Sequence, residues 1–424
     1  MTASAYQRVT RLATMTAVHR AFYWLHLHQP QIRRWLIEAV RIPAPPFAEH
    51  LRADWFLEQF RHLGLTNVHR DDEGNILAEL APEEPSSDTP VILISAHLDT
   101  VFPAGTNCEP VEDPDSARIM GPGVCDNAAG LSALLALAAA LRFARINPPA
   151  TILFAANVGE EGEGDLRGMR HLFQRGSYRG RIAATIALEG SGTAAVVTSG
   201  LGSMRFRATI TGPGGHSWSD AGAPNPIILL SNAISSIAEI PLSVEPLTTL
   251  NIGHISGGTS VNSIPSSATA LIELRSTGSR EIHLAAREIR RILEETVAPF
   301  AVLAQPVTLQ LEVIGERPAA VLPKDSALLQ MLHSVDRHLH LATEHRLGST
   351  DANLPLSRGV PAIAIGTGGI GGNIHTLDEW YDPTGRETAL RRILLLLLAC
   401  TQVAPQLHLE TAASGPGAAL HSSS

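Results

Sequence analysis

The sequence predicts an α/β fold, a mostly parallel sheet flanked by helices, with an inserted ferredoxin-like α+β domain. Three observations carry this. Continuous apolar runs at 91–96, 151–156 and 182–188 alternate with helical segments. Strands that are apolar on both faces belong to parallel sheets covered by helices on both sides. Near Gly200 a half-exposed alternation replaces these runs. From there to about residue 316 the order is β-α-β-β-α-β, which closes as a compact ferredoxin-like unit.

Taken in order, residues 6–40 read as helical, and Pro43, Pro45 and Pro46 end that segment. Residues 51–63 are a second amphipathic helix. A strand at 91–96, an alanine- and leucine-rich helix at 127–143, a strand at 151–156, a short helix at 166–173 and a strand at 182–188 follow. In the inserted segment, 205–211, 248–255, 268–275 and 307–314 read as strands, and 226–240 and 280–297 as helices. A helix at 326–340, a strand at 361–365 and a helix at 387–403 complete the first domain. The expected domains are therefore 1–201 with 317–410, and 202–316. Residues 411–424, rich in Ser, Gly and Ala, are expected to be a disordered tail.

Composition narrows the function classes. A hydrophobic content of 44% with 17% charged residues is that of a soluble globular protein. The net charge of -9, with no basic block, argues against a nucleic-acid surface. Lys324 is the single lysine; the arginine excess reads as nucleotide-composition bias, not function. Three cysteines without a CxxC exclude a disulfide scaffold and a thiolate zinc knuckle, and fit a reducing, cytoplasmic setting. The apolar stretch near residues 21–25 is interrupted on both sides by His19, Arg20, His26 and His28, which is not a signal peptide. The apolar segments 131–141 and 393–400 are too short to span a bilayer, so no membrane partner is expected.

Ligands of such sheets gather at the carboxyl ends of the strands. His97, Asp126, Glu160, Glu161 and Glu189 fall at or near such ends, and His375 lies in a late glycine-rich loop. Zinc takes imidazole and carboxylate donors where thiolate is absent, and two zinc ions ~3.5–4 Å apart share a bridging carboxylate and need about five protein ligands. His97 and Asp99 lie two residues apart in an extended segment and face the same way. His97 can then bind metal while Asp99 hydrogen-bonds its other ring nitrogen and sets the tautomer. Adjacent Glu160 and Glu161 can diverge on a loop, one binding metal and the other holding the attacking water as general base. Singly these are weak signals. An aspartate before a helix is ordinarily an N-cap, an acidic pair is ordinarily solvated, and a histidine in a glycine loop is ordinarily structural. Their order and placement together point to a metal site.

Three runs carry a resemblance: Ser95-Ala96-His97-Leu98-Asp99-Thr100-Val101, the segment 123–130 around Asp126, and Gly159-Glu160-Glu161-Gly162. They resemble the co-catalytic zinc peptidases, the family of aminoacylase, acetylornithine and succinyl-diaminopimelate deacylases, carboxypeptidase G and the bacterial tripeptidases. The likeness runs from about residue 50 to 400. It implies a zinc exopeptidase-like fold with a lid that also dimerises, two Zn²⁺ per subunit (Co²⁺ or Mn²⁺ can occupy similar sites) and a homodimer. It implies Asp126 as the bridging ligand, followed by a cis peptide bond. His97 and Glu189 would complete one site, and Glu161 and His375 the other. Glu160 is implied as general base and Asp99 as the residue orienting His97. In the lid, His216 is implied as oxyanion stabiliser acting across the dimer, Asn262 as a substrate-binding amide, and Arg275 as the partner of a substrate carboxylate.

The activity this implies is hydrolysis of an amide bond in a small substrate, a di- or tripeptide or an N-acyl amino acid. An N-deacetylase or N-carbamoyl amidohydrolase of the same family is an alternative. A non-catalytic relative would have lost a ligand or the base, and all are present. Cys125 and Cys400 read as buried core, Glu163 and Asp165 as solvated or capping, and His254 as a lid surface residue. His26 and His28 fall on different helix faces. Asp351 and Arg317 are further candidates for the substrate pocket. No GxSxG frames a serine nucleophile.

Overall fold

Every residue of the strand Val91–His97 is buried, which places it inside a sheet covered on both faces. The computed structural model describes residues 3–84 and 89–414. The chain divides into two units, one of residues 1–200 and 321–424, the other of residues 201–320.

In the first unit the strands of the main sheet run from one edge in the order Thr66–Arg70, Ile76–Leu80, Thr151–Asn157, Val91–His97, Ile182–Leu188, Ala362–Ile365 and Ala195–Gly200. The four from Thr151–Asn157 to Ala362–Ile365 are parallel. Ile76–Leu80 on one side and Ala195–Gly200 on the other pair antiparallel. The sheet is thus mixed, with a parallel centre, where the apolar runs alone predict a mostly parallel one. The added pair Thr66–Arg70 and Ile76–Leu80 needs only a tight turn, not a crossover helix. Asp71 supplies that turn, its Oδ1 accepting the N–H groups of Glu73, Gly74 and Asn75.

The helical reading of 6–40 resolves into three helices, Ala3–Ala13, Thr16–Leu27 and Gln29–Arg41. Met15 is extended at the first break, and Pro30 sits in the first turn of the third helix, where its missing N–H is not needed. The second and third pack on Ala128–Ala144, a helix apolar on nearly all sides and buried along its length. The helix Arg386–Gln402 carries a buried arginine, Arg392, whose Nε and Nη2 reach the Asp336 carboxylate at 2.6 and 2.7 Å. The last helix, Ala404–Ser414, covers the start of the expected tail; residues 415–424 lie outside the described residues. Among the described residues no single helix is long and apolar enough to cross a membrane.

The second unit is a four-stranded antiparallel sheet in the order Thr248–Gly257, Ser267–Ser276, Gly202–Thr211, Thr308–Arg317. Helices Pro226–Ala238 and Ser279–Val297 pack on it around Phe206, Ile210, Leu230, Ile272, Ile289 and Leu293. Burial alternates strictly along Ser267–Ser276, so one face is core and the other is not.

Removing one partner of a buried ion pair strands the other charge. Asp336→Ala, which leaves the fully buried Arg392 without its carboxylate, is expected to lower stability by on the order of 3–5 kcal/mol. Chemical denaturation reads this as a lower midpoint, and an unmoved midpoint would refute it.

Candidate metal centre

The candidate ligands are carried by loops at one end of the parallel strands. His97 is the last residue of its strand, Glu160 and Glu161 follow Thr151–Asn157, and Glu189 follows Ile182–Leu188. Leu98 N–H donates to the Asn157 carbonyl at 2.7 Å, so the pairing continues past the strand ends and holds the two loops side by side.

His97 is 1% exposed, and its Nδ1 lies 3.0 Å from the main-chain carbonyl of Asp99. A carbonyl only accepts, so Nδ1 carries the proton and Nε2 is left to face outward. The Asp99 carboxylate is farther from the ring, at 3.5 Å. It accepts instead from the main chain of the acidic pair, Glu160 N–H at 2.9 Å and Glu161 N–H at 2.7 Å. The ring is therefore oriented mainly by the Asp99 carbonyl, and the side chain fixes the next loop. Arg52, itself buried, donates to the Leu98 carbonyl at 2.6 Å, and burial lowers its pKa to about 10.

Asp126 stands between the two histidines. Its Oδ1 is 3.0 Å from His97 Nε2 and its Oδ2 is 3.1 Å from His375 Nε2. Glu189 lies 3.5 Å from His97 Nε2, and Glu161 2.9 Å from His375 Nε2. One ligand atom each from His97, Asp126 and Glu161 lie within 4.8 Å of one another. The peptide bond between Asp126 and Asn127 is cis. Glu160 is 5% exposed beside Glu161. Imidazole and carboxylate donors in this arrangement fit a divalent cation: a bare Nε2 lone pair against a carboxylate oxygen needs a proton or a cation between them.

The electrostatics reflect that requirement. Burial pulls the His97 pKa down, but its contacts with Asp126, Asp99 and Glu189 carry it well above the usual value. The carboxylates of Asp126 and Glu161 raise His375 to about 10. Burial works against the charged form of Asp126, yet the two histidines hold it well below the usual carboxylate range. Burial, then the Asp126 charge, pushes Glu189 up.

Two residues that organise this centre were not singled out from the sequence. Asn127, not Asp126, is the N-cap of Ala128–Ala144: its Oδ1 accepts from Gly130 N–H at 3.1 Å. The same oxygen accepts from Gly190 N–H at 3.3 Å and its Nδ2 donates to the Leu188 carbonyl at 2.9 Å, gripping both neighbours of Glu189. A Cβ at Gly130 would lie 2.1 Å from that oxygen, which explains the glycine. Glu379, fully buried, accepts main-chain N–H groups from the Asp126 and His375 loops. The asparagine-before-helix signal made Asn127 findable; Glu379 had none beyond lying four residues after His375.

His216 and Asn262 come together within the second unit, where Gly215–His216 pairs with Ser263–Ile264 and Ser217 N–H donates to the Asn262 carbonyl at 3.0 Å. His216 is exposed, and its Nδ1 accepts from Trp218 N–H at 3.1 Å, which leaves an Nε2–H donor. Arg275 is in register with Ser203, eight residues along its strand from the Ser267–Thr211 pair, and grips Glu273 through Nε and Nη2 at 2.9 and 3.0 Å. Arg275 thus lies at the opposite end of the sheet from His216 and Asn262.

Asp351 is buried, accepts from Asn157 Nδ2 at 2.8 Å, and is close enough for its charge to raise Glu189. Cys125 and Cys400 are fully buried, and burial pushes both thiols up to about 12. Asp165 pairs with Arg170 at 2.9 Å, and His254 is exposed on its strand.

Loading a divalent cation must displace protons from the two histidines. Affinity for a divalent cation is therefore expected to rise with pH, because contacts with the carboxylates raise both His97 and His375 and hold their protons on. Calorimetric heats should scale with buffer ionisation enthalpy; heats independent of the buffer would contradict proton displacement.

Comparison with known proteins supplies the family. The pattern of peptidase family M20/M25/M40 matches residues 93–399, which include every candidate residue of this centre. A probable carboxypeptidase of Aspergillus flavus is 30% identical over 208 residues, 45% of this chain and 47% of that protein. The chain thus spans about half the length of that relative. The crystal structure of a tripeptidase from Staphylococcus aureus shares the fold with a TM-score of 0.69 at 22% identity, covering 88% of this chain and 98% of that one. A Bacillus subtilis protein described as a dinuclear metal-binding peptidase of the M20 family does so with a TM-score of 0.63 at 16% identity, again covering 88% and 98%. On the extent of the family match, the chain belongs to peptidase family M20/M25/M40.

Proposed function

We propose that this protein is a metal-dependent hydrolase that cleaves an amide bond in a small substrate, a di- or tripeptide or an N-acyl amino acid. The observation that carries the reading is Asp126, whose two oxygens each face a different histidine at 3.0 and 3.1 Å. A carboxylate so placed would be shared by two cations if both were bound, and this disposition supports the reading. His97 and Glu189 would hold one, Glu161 and His375 the other, with Zn²⁺ the cation best suited to the donors. Two cations bound there supply Lewis-acid polarisation of the scissile carbonyl and acidify a water. The relatives described as a tripeptidase, a dinuclear metal-binding peptidase and a probable carboxypeptidase support the same reading.

The chain's own residues have distinct tasks in this scheme. Glu160 accepts the proton of the attacking water and returns it to the leaving amine. Asp99 keeps Glu160 in place through its main-chain N–H. His216 offers Nε2–H to the developing oxyanion, and Asn262 binds the substrate beside it. Arg275 spends Nε and Nη2 on Glu273, leaving Nη1 for a substrate carboxylate.

The geometry within the second unit also favours a homodimer. Arg275 and the His216–Asn262 pair are separated by about eight residues of strand, roughly 26 Å. A tripeptide spans only about 10 Å. That separation supports a reading in which one copy's Arg275 and His216 serve different substrates, as the proposed homodimer would require. The three cysteines are free and buried, as in a reducing compartment, so the cytoplasm is the proposed setting.

Assay of the zinc- or cobalt-loaded protein against di- and tripeptides and N-acyl amino acids tests the substrate class; no turnover of any of them would reject it. Glu160→Gln is expected to keep its metal and lose on the order of 10²–10⁴-fold in turnover. Full activity in that variant would remove Glu160 as the base. Mixing Glu160→Gln chains with His216→Ala chains should restore part of the activity, because one of the two sites then has both groups. No recovery from an exchanged dimer would place His216 in cis.

A further inference from the structure

Glu379 is a fully buried carboxylate that, among the described residues, accepts hydrogen bonds from main-chain N–H groups alone. Cys125 and Asp126 donate to Oε1 at 2.8 and 2.9 Å, and Gly123 and His375 donate to Oε2 at 3.2 and 3.4 Å. Its own carbonyl accepts from Gly121 N–H at 2.9 Å. The donors belong to two loops that carry Asp126 and His375, which are 249 residues apart in the chain. Burying an anion is costly, and here it sits close enough to Asp126 for the two charges to repel. Burial holds its carboxyl above the usual range, against the lowering effect of the N–H contacts. A loop that only needed filling would be served by an apolar side chain without that cost. Four N–H groups converging on two oxygens require a carboxylate: a glutamine has one acceptor oxygen, and its NH₂ would face two of the donors.

We infer that Glu379 is a positioning residue for the metal centre, one that sets the separation of Asp126 and His375 and with it the affinity for the cation between Glu161 and His375. The inference rests on the metal-centre reading proposed above. It predicts an asymmetry. His97 is oriented by the Asp99 carbonyl and the Glu189 segment is gripped by Asn127. Among the described residues Glu379 meets that side through Asp126, whereas it touches the main chain of His375 directly.

The test is a calorimetric titration of Zn²⁺ into the whole, cation-stripped chain and into Glu379→Gln, with circular dichroism and thermal melts checking the fold. The parent chain is expected to take two cations. Glu379→Gln is expected to keep one and to bind the second on the order of 10–100-fold more weakly. With Co²⁺ as the probe, the absorption bands of the second ion should weaken or shift. A parent chain that binds no Zn²⁺ overturns the metal-centre reading and this inference with it. A parent that binds two, beside a folded Glu379→Gln that binds both with unchanged affinity, leaves the centre standing and overturns the positioning role alone. Should Glu379→Gln not fold, Glu379→Asp keeps the charge but draws it back by one methylene. A weakened second cation there supports the role, and an unchanged one refutes it.

Discussion

The centre depends on one requirement, that the buried main-chain amides of its ligand-bearing loops find acceptors. A buried N–H without a partner is costly, and loops at strand ends have left the ladder that would supply one. Asp99 answers this for the first pair of loops. Its carboxylate takes the N–H groups of Glu160 and Glu161 while its carbonyl takes His97 Nδ1. Glu160 and Glu161 therefore have fixed main-chain positions that their own side chains do not have to secure. Asn127 and Glu379 repeat the device for the Glu189 and His375 loops. Three polar side chains outside the candidate ligand set thus join segments spread across most of the chain.

The same arrangement concentrates negative charge. Asp99, Asp126, Glu160, Glu161, Glu189, Asp351 and Glu379 lie in or around one region, several of them fully buried. Main-chain N–H groups compensate Asp99 and Glu379, and Asn157 partners Asp351. The histidines take up the rest, which is why His97 and His375 are raised so far. Cations of charge two, as proposed, would satisfy the same carboxylates and free both imidazoles to act as ligands. The electrostatics and the donor set thus agree.

How much of this was legible beforehand varies by residue. His97, Asp126, Glu160, Glu161 and Glu189 stood out as candidates because each sits at or near the end of an apolar run or the start of a helix. The parallel centre of the sheet could be read for the same reason. One of the two antiparallel flanks was missed because Ile76–Leu80 is short and its partner Thr66–Arg70 is largely exposed. The Asp99 side chain, expected on the imidazole, lies 3.5 Å from it and also takes the N–H groups of the following loop, while the Asp99 carbonyl is nearer the ring. Two-residue spacing shows that two groups face one way, not which of two acceptors, carbonyl or carboxylate, lies nearer the ring.

The sequence by itself determined the kinds of donor, their order along the chain and the strand ends that carry them. Hydrophobic periodicity and turn chemistry are local, and local patterns survive in a one-dimensional string. Only the tertiary structure decided that Asp126 faces both histidines, that Asn127 rather than Asp126 caps the helix, and that Glu379 ties Asp126 to His375. Each of these is an acceptor choosing among donors brought close by folding. An acceptor's choice depends on distances between segments hundreds of residues apart, which no local pattern records.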